Sequence, residues 1–151
     1  MRGSTRYPLL AVLSFLLLPT VVRAQAKPIA TVETNINATA ELYECKRKAG
    51  VLTVKVRLKA TGKVDEWLYF RETYIMDVGS GKKYEVLKDT DGNAIATTSP
   101  SYKDRISVQV APGGSFNLWW KFPAPPAETK TITFSMPGAE PFEDVPITDA
   151  P

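Results

Sequence analysis

Three observations predict an all-β fold, two antiparallel sheets packed as a sandwich. Val51 to Ala60 alternates without a break, with Leu52, Val54, Val56 and Leu58 on one side and Thr53, Lys55, Arg57 and Lys59 on the other. Successive strand side chains point to opposite faces, so this is a strand with one dry and one wet face. No stretch of ten or more residues shows helical spacing. Short apolar segments are separated throughout by Gly, Pro and Asn, residues that end strands and build turns. About seven such strands describe an antiparallel two-sheet immunoglobulin-like sandwich, with an open barrel as the alternative.

The first 24 residues stand apart from this pattern. Arg2 and Arg6 precede an apolar run from Leu9 to Val22, and Val22-Arg23-Ala24 supplies residues that a signal peptidase tolerates. This is the layout of a secretory signal peptide (1–24) cleaved before Gln25. The run is shorter than the ~20 residues of a membrane span and contains a proline, so no transmembrane segment is expected after cleavage. No cysteine follows it to take a bacterial lipid anchor.

Cleavage changes the charge balance. The whole chain has 19 basic and 16 acidic residues; Arg2, Arg6 and Arg23 leave with the signal and no acid does, so 16 of each remain. A neutral chain has no general attraction for nucleic acid or anionic lipid, and no nucleic-acid partner is expected. The 127 residues after the cleavage point suffice for one domain with its own core. Cys45 is the single cysteine, so no internal disulfide can form. It is expected to be a buried, inert thiol, the alternative being an intermolecular bridge.

Residues 25–38 form a lead-in whose Ile29 and Val32 suggest an edge strand, and the sandwich is expected over 39–148 with a short tail at 149–151. Thr39 to Lys48 reads as a strand with Tyr43 and Cys45 inward and Glu44 and Lys46 outward, joined to the Val51 strand through Ala49-Gly50. Asp65 to Val78 has aromatics on both parities, and its Arg71-Glu72 interruption suggests a bend. Gly79-Ser80-Gly81 turns the chain back into Tyr84 to Leu87. Asp89 to Lys103, the longest polar stretch, reads as a surface loop.

Ile106, Val108 and Val110 make the next strand, closed by Pro112-Gly113-Gly114. Phe116, Leu118, Trp120 and Phe122 then share one face, and the prolines from Pro123 to Pro126 stop that strand. Ile132, Phe134 and Met136 follow on another. Phe142, Val145 and Ile147 suggest a last edge strand.

The chain is poor in catalytic chemistry. It has no histidine, which removes histidine triads and histidine zinc sites. It has no G-x-S-x-G elbow and no phosphate-cradling glycine loop. Asp65-Glu66 and Glu143-Asp144 are adjacent carboxylates, which point apart on a strand and make no ready acid/base couple. No enzyme, no catalytic residue and no cofactor are expected; a hydrolase using Glu66 or Asp144 is the least favoured reading.

Asp89, Asp91 and Asn93 place oxygen side chains at alternate positions, as in the start of a calcium loop. An EF-hand loop would need glycine at its sixth position and glutamate at its twelfth, where this chain has Ala94 and Pro100. A plain turn at Asp91-Gly92 accounts for the same residues. The other candidates are aromatic. Trp119 and Trp120 are adjacent, so one must leave the core face, and Trp67 and Tyr69 oppose Leu68 and Phe70. Trp67, Tyr69 and Trp119 on one sheet would form a binding patch for a protein or glycan, against the ordinary alternative of rim aromatics covered by loops. Asn37-Ala38-Thr39 is a glycosylation sequon, relevant only in a eukaryotic secretory route.

Several segments carry a resemblance: Tyr74-Ile75-Met76-Asp77-Val78, Gly81-Lys82-Lys83-Tyr84, Pro112-Gly113-Gly114, Phe122-Pro123-Ala124-Pro125-Pro126, and Pro141 to Ile147. Over most of Thr39 to Ile147 the chain resembles a group of uncharacterised bacterial exported proteins with an immunoglobulin-like sandwich. Some of those carry a following peptidoglycan-binding domain of the outer-membrane-protein-A type. The resemblance implies a periplasmic or extracellular protein and no catalytic residues; wall attachment through that following domain is not expected of a chain reaching Pro151. The reading is a monomeric, non-enzymatic binding or assembly module of the bacterial envelope, with an envelope protein or glycan as partner. The alternative is a small-ligand or calcium binder using the 89–103 loop.

Overall fold

A computed structural model describes residues 26–99 and 101–151; the expected signal peptide lies outside the described residues. The fold is all-β, with eleven strands, one 3-10 turn and no α-helix among the described residues. The strands are β1 (Ala30–Glu33), β2 (Ala38–Lys48), β3 (Val51–Ala60), β4 (Val64–Tyr69), β5 (Tyr74–Asp77), β6 (Lys82–Glu85), β7 (Arg105–Val110), β8 (Ser115–Pro123), β9 (Thr131–Ser135), β10 (Phe142–Pro146) and β11 (Thr148–Asp149). One sheet runs β1-β2-β3-β8, with β11 added beside β2. The second runs β10-β9-β5-β6, and β4 pairs with β7 in a separate ribbon. Every pairing between these strands is antiparallel except β11 on β2. Eleven strands in this order replace the seven expected, and they do not reproduce an immunoglobulin domain, whose sheets hold four and three.

β3 behaves as its alternation predicts. Leu52, Val54, Val56 and Leu58 are buried and stand beside Phe122, Trp120, Leu118 and Phe116 of β8 in the same sheet. The layers meet through rings: Phe134 of β9 lies 5.4 Å from Trp120 and 6.1 Å from Phe122 of β8, and it stands 5.8 Å from Phe142 in its own sheet. Such contacts add about 1 kcal/mol each to the gain from burial alone.

β2 departs from simple alternation. Leu42 faces Val56 and Glu44 faces Lys55, so Tyr43 is an extra residue in the ladder. This β-bulge resets the parity. Ala38, Ala40 and Leu42 point inward before it, and Cys45 and Arg47 after it. Cys45 is buried as expected, whereas the expectation of an inward Tyr43 is corrected: its ring sits on the outer face under Arg57.

The Asp65–Val78 stretch is two strands in two sheets. Phe70–Glu72 forms the 3-10 turn between them, at the predicted bend. The turn shifts parity, so Leu68 before it and Phe70 at its start are buried, and Thr73, Ile75 and Asp77 are buried after it. Val78, of the same parity as Leu68 and Phe70, is 60% exposed.

β3–β8 and β4–β7 form one long ribbon that turns a corner. Lys59 faces Ser115 and Val64 faces Val110, so each strand skips four residues, 60–63 and 111–114, without a change of register. At the corner Gly113 has φ +80°, and a Cβ on Gly114 would lie 2.7 Å from Val110 Cγ1 and 3.0 Å from Ala111 O. Beyond it, Val64, Leu68, Ile106 and Val108 rejoin the common core, and Phe70 meets Trp120 edge-on at 6.2 Å. Strands that change layer through such bends are a recognised way of closing a sandwich.

The 89–103 loop is more than a surface excursion. Leu87 N donates to Lys121 O, Lys121 N to Ile95 O and Thr97 N to Trp119 O, each within 3.0 Å. Ala94 and Ala96 are buried. Residues 94–97 therefore cover the β8 edge that would otherwise present unpaired backbone groups.

Candidate functional site

The outward face of the β4–β7 ribbon is built from cross-strand pairs: Asp65 with Gln109, Trp67 with Ser107, and Tyr69 with Arg105. Alternation along β4 turns Val64 and Leu68 into the core and leaves Trp67 and Tyr69 outside. Ser99 anchors the preceding loop to β7, its Oγ accepting from Ser107 N at 3.1 Å, and Tyr102 N donates back to Ser99 O at 2.9 Å. That turn lays Tyr102 over the same face.

The four side chains form one cluster. Trp67 and Tyr102 stack edge to face with centroids 4.9 Å apart. The Arg105 guanidinium lies 4.2 Å from the Tyr102 centroid and 5.3 Å from those of Trp67 and Tyr69. Arg71 stands 5.1 Å from Tyr69. A cation over an aromatic face is held by the ring quadrupole, by about 0.5 to 2 kcal/mol as water is excluded. Trp67 remains 42% exposed and Tyr102 38% exposed. Arg105 has no carboxylate partner among the described residues, and its buried Nε has no hydrogen-bond acceptor. The cluster thus presents two ring surfaces around a positive charge that no acid neutralises.

The three aromatics singled out in the sequence do not share one sheet. Trp67 and Tyr69 belong to the ribbon, while Trp119 stands on the outer face of the five-stranded sheet, 36% exposed. Trp119 lines a separate cleft with Tyr43, Lys55, Arg57 and Asn117. Trp120 is the core member of the tryptophan pair.

Asp89, Asp91 and Asn93 form a self-contained turn. Asp89 Oδ1 accepts from Asp91 N at 2.9 Å and Asn93 N at 2.8 Å, while Oδ2 accepts from Asn93 Nδ2 at 2.8 Å. These bonds, the Asn93 amide foremost, hold the Asp89 carboxyl below the usual carboxylate range. Lys103 Nζ donates to Asp91 O at 2.9 Å, so a cation of the protein already occupies that carbonyl. Among the described residues no group of three or more His, Cys, Asp or Glu side chains is arranged to hold a metal ion. Asn37 of the sequon is turned onto the chain, its Nδ2 donating to Lys63 O at 3.2 Å. Glu66 is exposed on β4 and Asp144 is exposed in β10, in separate sheets.

Tyr102 and Arg105 were not among the sequence candidates. Arg105 follows the polar loop directly, and only the β4–β7 register sets it beside Tyr69. The outward position of Tyr43 was hidden by the β2 bulge. No protein-family model, curated protein or solved structure matches the chain. No helix among the described residues is long and apolar enough to cross a membrane.

Proposed function

We propose that the protein is a non-enzymatic, exported binding or assembly module of the bacterial cell envelope, acting through the outward face of the β4–β7 ribbon. The observation that supports this most is the Trp67–Tyr69–Tyr102–Arg105 cluster, an exposed aromatic surface around an arginine without a carboxylate. Aromatic and arginine side chains are the usual anchors of binding surfaces, the rings bringing rigid apolar area and the guanidinium a planar fork of donors. Export rests on the N-terminal charge and hydropathy pattern, and the envelope on the resemblance described above.

A sheet face suits the role better than a sheet edge. The β8 edge is covered by residues 94–97, and the β6 edge carries Lys82 and Lys83, which discourage strand addition. The test is a photo-crosslinking residue at position 67 in living bacteria, with position 59 of the other sheet as the control. A specific adduct from 67 alone is the expected outcome. Adducts from neither position, or equally from both, would sink the proposal.

A further inference from the structure

The outer face of the five-stranded sheet carries a second concavity, independent of the β4–β7 cluster. It is a cleft of about 310 Å³ lined by Tyr43, Lys55, Arg57, Asn117 and Trp119, with backbone of Val56 and Leu118 beneath because their side chains are buried in the core. Tyr43 comes from β2 and Trp119 from β8, with β3 running between them. Two strand spacings put the backbones that carry them about 10 Å apart. Tyr43 stands outside because it follows the inward Leu42, and the bulge then returns Cys45 to the core.

The polar groups of the cleft are fixed before any ligand arrives. Tyr43 Oη donates to Glu41 Oε2 at 2.6 Å, and Arg57 lies 4.7 Å from the Tyr43 centroid while Nε donates to Asn117 Oδ1 at 3.2 Å. The acids nearby are spoken for. Glu44 pairs with Lys55 at 3.0 Å, and Glu41 pairs with Lys59 at 3.3 Å. Of the two cations lining the cleft, Lys55 is therefore neutralised and Arg57 is not. A guanidinium with free donors prefers a carboxylate, which it meets in a planar two-point fashion.

We infer that the cleft between Tyr43 and Trp119 binds an acidic sugar unit of a glycan chain, the sugar ring lying against Trp119 and its carboxylate on Arg57, which Tyr43 supports from beneath. A peptide strand fits less well. β3 is paired on both sides, by β2 and β8, so the floor of the cleft has no free backbone groups to extend a sheet. This inference rests on the reading of the protein as a binding module and adds a ligand class and a second surface to it.

The test is isothermal titration of the whole exported chain with an oligogalacturonide and an oligomannuronate, each beside its carboxyl-reduced, neutral counterpart. At least one acidic chain is expected to bind, and its neutral counterpart at least about tenfold more weakly. Trp119→Ala and Arg57→Gln should each weaken binding by about tenfold or more, as loss of a central anchor does. Arg57→Lys, which keeps the charge but not the planar fork, should lie between Arg57→Gln and the parent. Thermal melts identify any variant that fails to fold, in which case Arg57→Lys and Asn117→Ala carry the comparison. Binding of neither acidic chain, or binding untouched by both Trp119→Ala and Arg57→Gln, would overturn the inference. Binding lost instead on Trp67→Ala with Tyr102→Ala would overturn it too, while leaving the β4–β7 surface in place as the binding face.

Discussion

Arg47 and Asp149 meet side by side across 102 residues of chain, Nε to Oδ1 at 2.6 Å and Nη2 to Oδ2 at 3.1 Å. The pairing fixes β11 beside β2, where Thr148 and Asp149 stand opposite Lys46 and Arg47. The same guanidinium donates to the carbonyls of Pro125, Pro126, Ala127 and Thr129. Asp77 grips that loop from the other side, Oδ2 accepting from Thr129 Oγ1 at 2.9 Å and from Ser80 Oγ at 2.8 Å. A domain without disulfides thus uses a buried arginine and a buried aspartate to hold its proline-rich loop and its last strand.

Arg47→Ala should therefore destabilise the fold by about 2 to 3 kcal/mol, because several carbonyls lose their donor together. Asp149→Asn should cost less, since that carboxylate is 60% exposed and water can replace its partner. Urea unfolding of both variants gives the comparison. Equal and small losses would show that the arginine does not organise this end of the molecule.

The corner of the long ribbon makes a second prediction. Gly114→Ala brings its new Cβ against Val110 Cγ1 and Ala111 O, so a loss of about 1 to 3 kcal/mol is expected. Gly114 is not among the glycines with positive φ, so a loss there reports crowding alone. A Gly114→Ala loss below about 0.5 kcal/mol in urea unfolding would argue against the tight corner.

Stability should be flat in pH through neutrality and fall on either side. Asp77, Asp89 and Asp149 are held below the ordinary carboxylate range, chiefly by the Ser80 hydroxyl, the Asn93 amide and Arg47 respectively. Their stabilisation is complete above the unfolded carboxylate pKa of about 3.9 and is lost as pH falls through the lower folded values. Cys45 runs the other way. Burial pushes its thiol up to about 12, so the unfolded chain ionises first, near pH ~8.5, and stability drops above that point. The chain has no histidine to titrate between. Thermal melts over a pH series should show a plateau from about pH 5 to 8; a fall within that interval would contradict the assignment.

Cys45 gives a separate readout of packing. It is 1% exposed beneath the β2–β3 pair, so a thiol reagent should label it only as the protein unfolds. Rapid labelling of the native protein would place the thiol at the surface, where it could bridge two chains.

The parts of this fold visible in the sequence are those set by local alternation. β3 announces its own core face, and Ile132, Phe134 and Met136 do the same for β9. Tyr43 was misplaced because one extra residue in a ladder reverses every later side chain, and nothing in TAELYECKRK marks where it falls. Arg47 was invisible for a different reason: an arginine reads as surface until partners distant in the chain are known to surround it. The candidate site divides in the same way. Trp67, Tyr69 and Trp119 could be named as outward aromatics from parity alone, but their distribution over two sheets depends on the corner at 60–63 and 111–114. Arg105, which gives the cluster its charge, became visible only through its register with Tyr69.

Binding through the Trp67–Tyr102–Arg105 face is tested most directly by saturable co-sedimentation of the protein with isolated bacterial envelopes, comparing the parent with Trp67→Ala/Tyr102→Ala. Trp67 and Tyr102 are 42% and 38% exposed and lie outside the core cluster, so the double variant should still fold, with a modest loss of Tm. Its apparent affinity should fall by at least about tenfold. Unchanged binding by a fully folded double variant would contradict binding through this face.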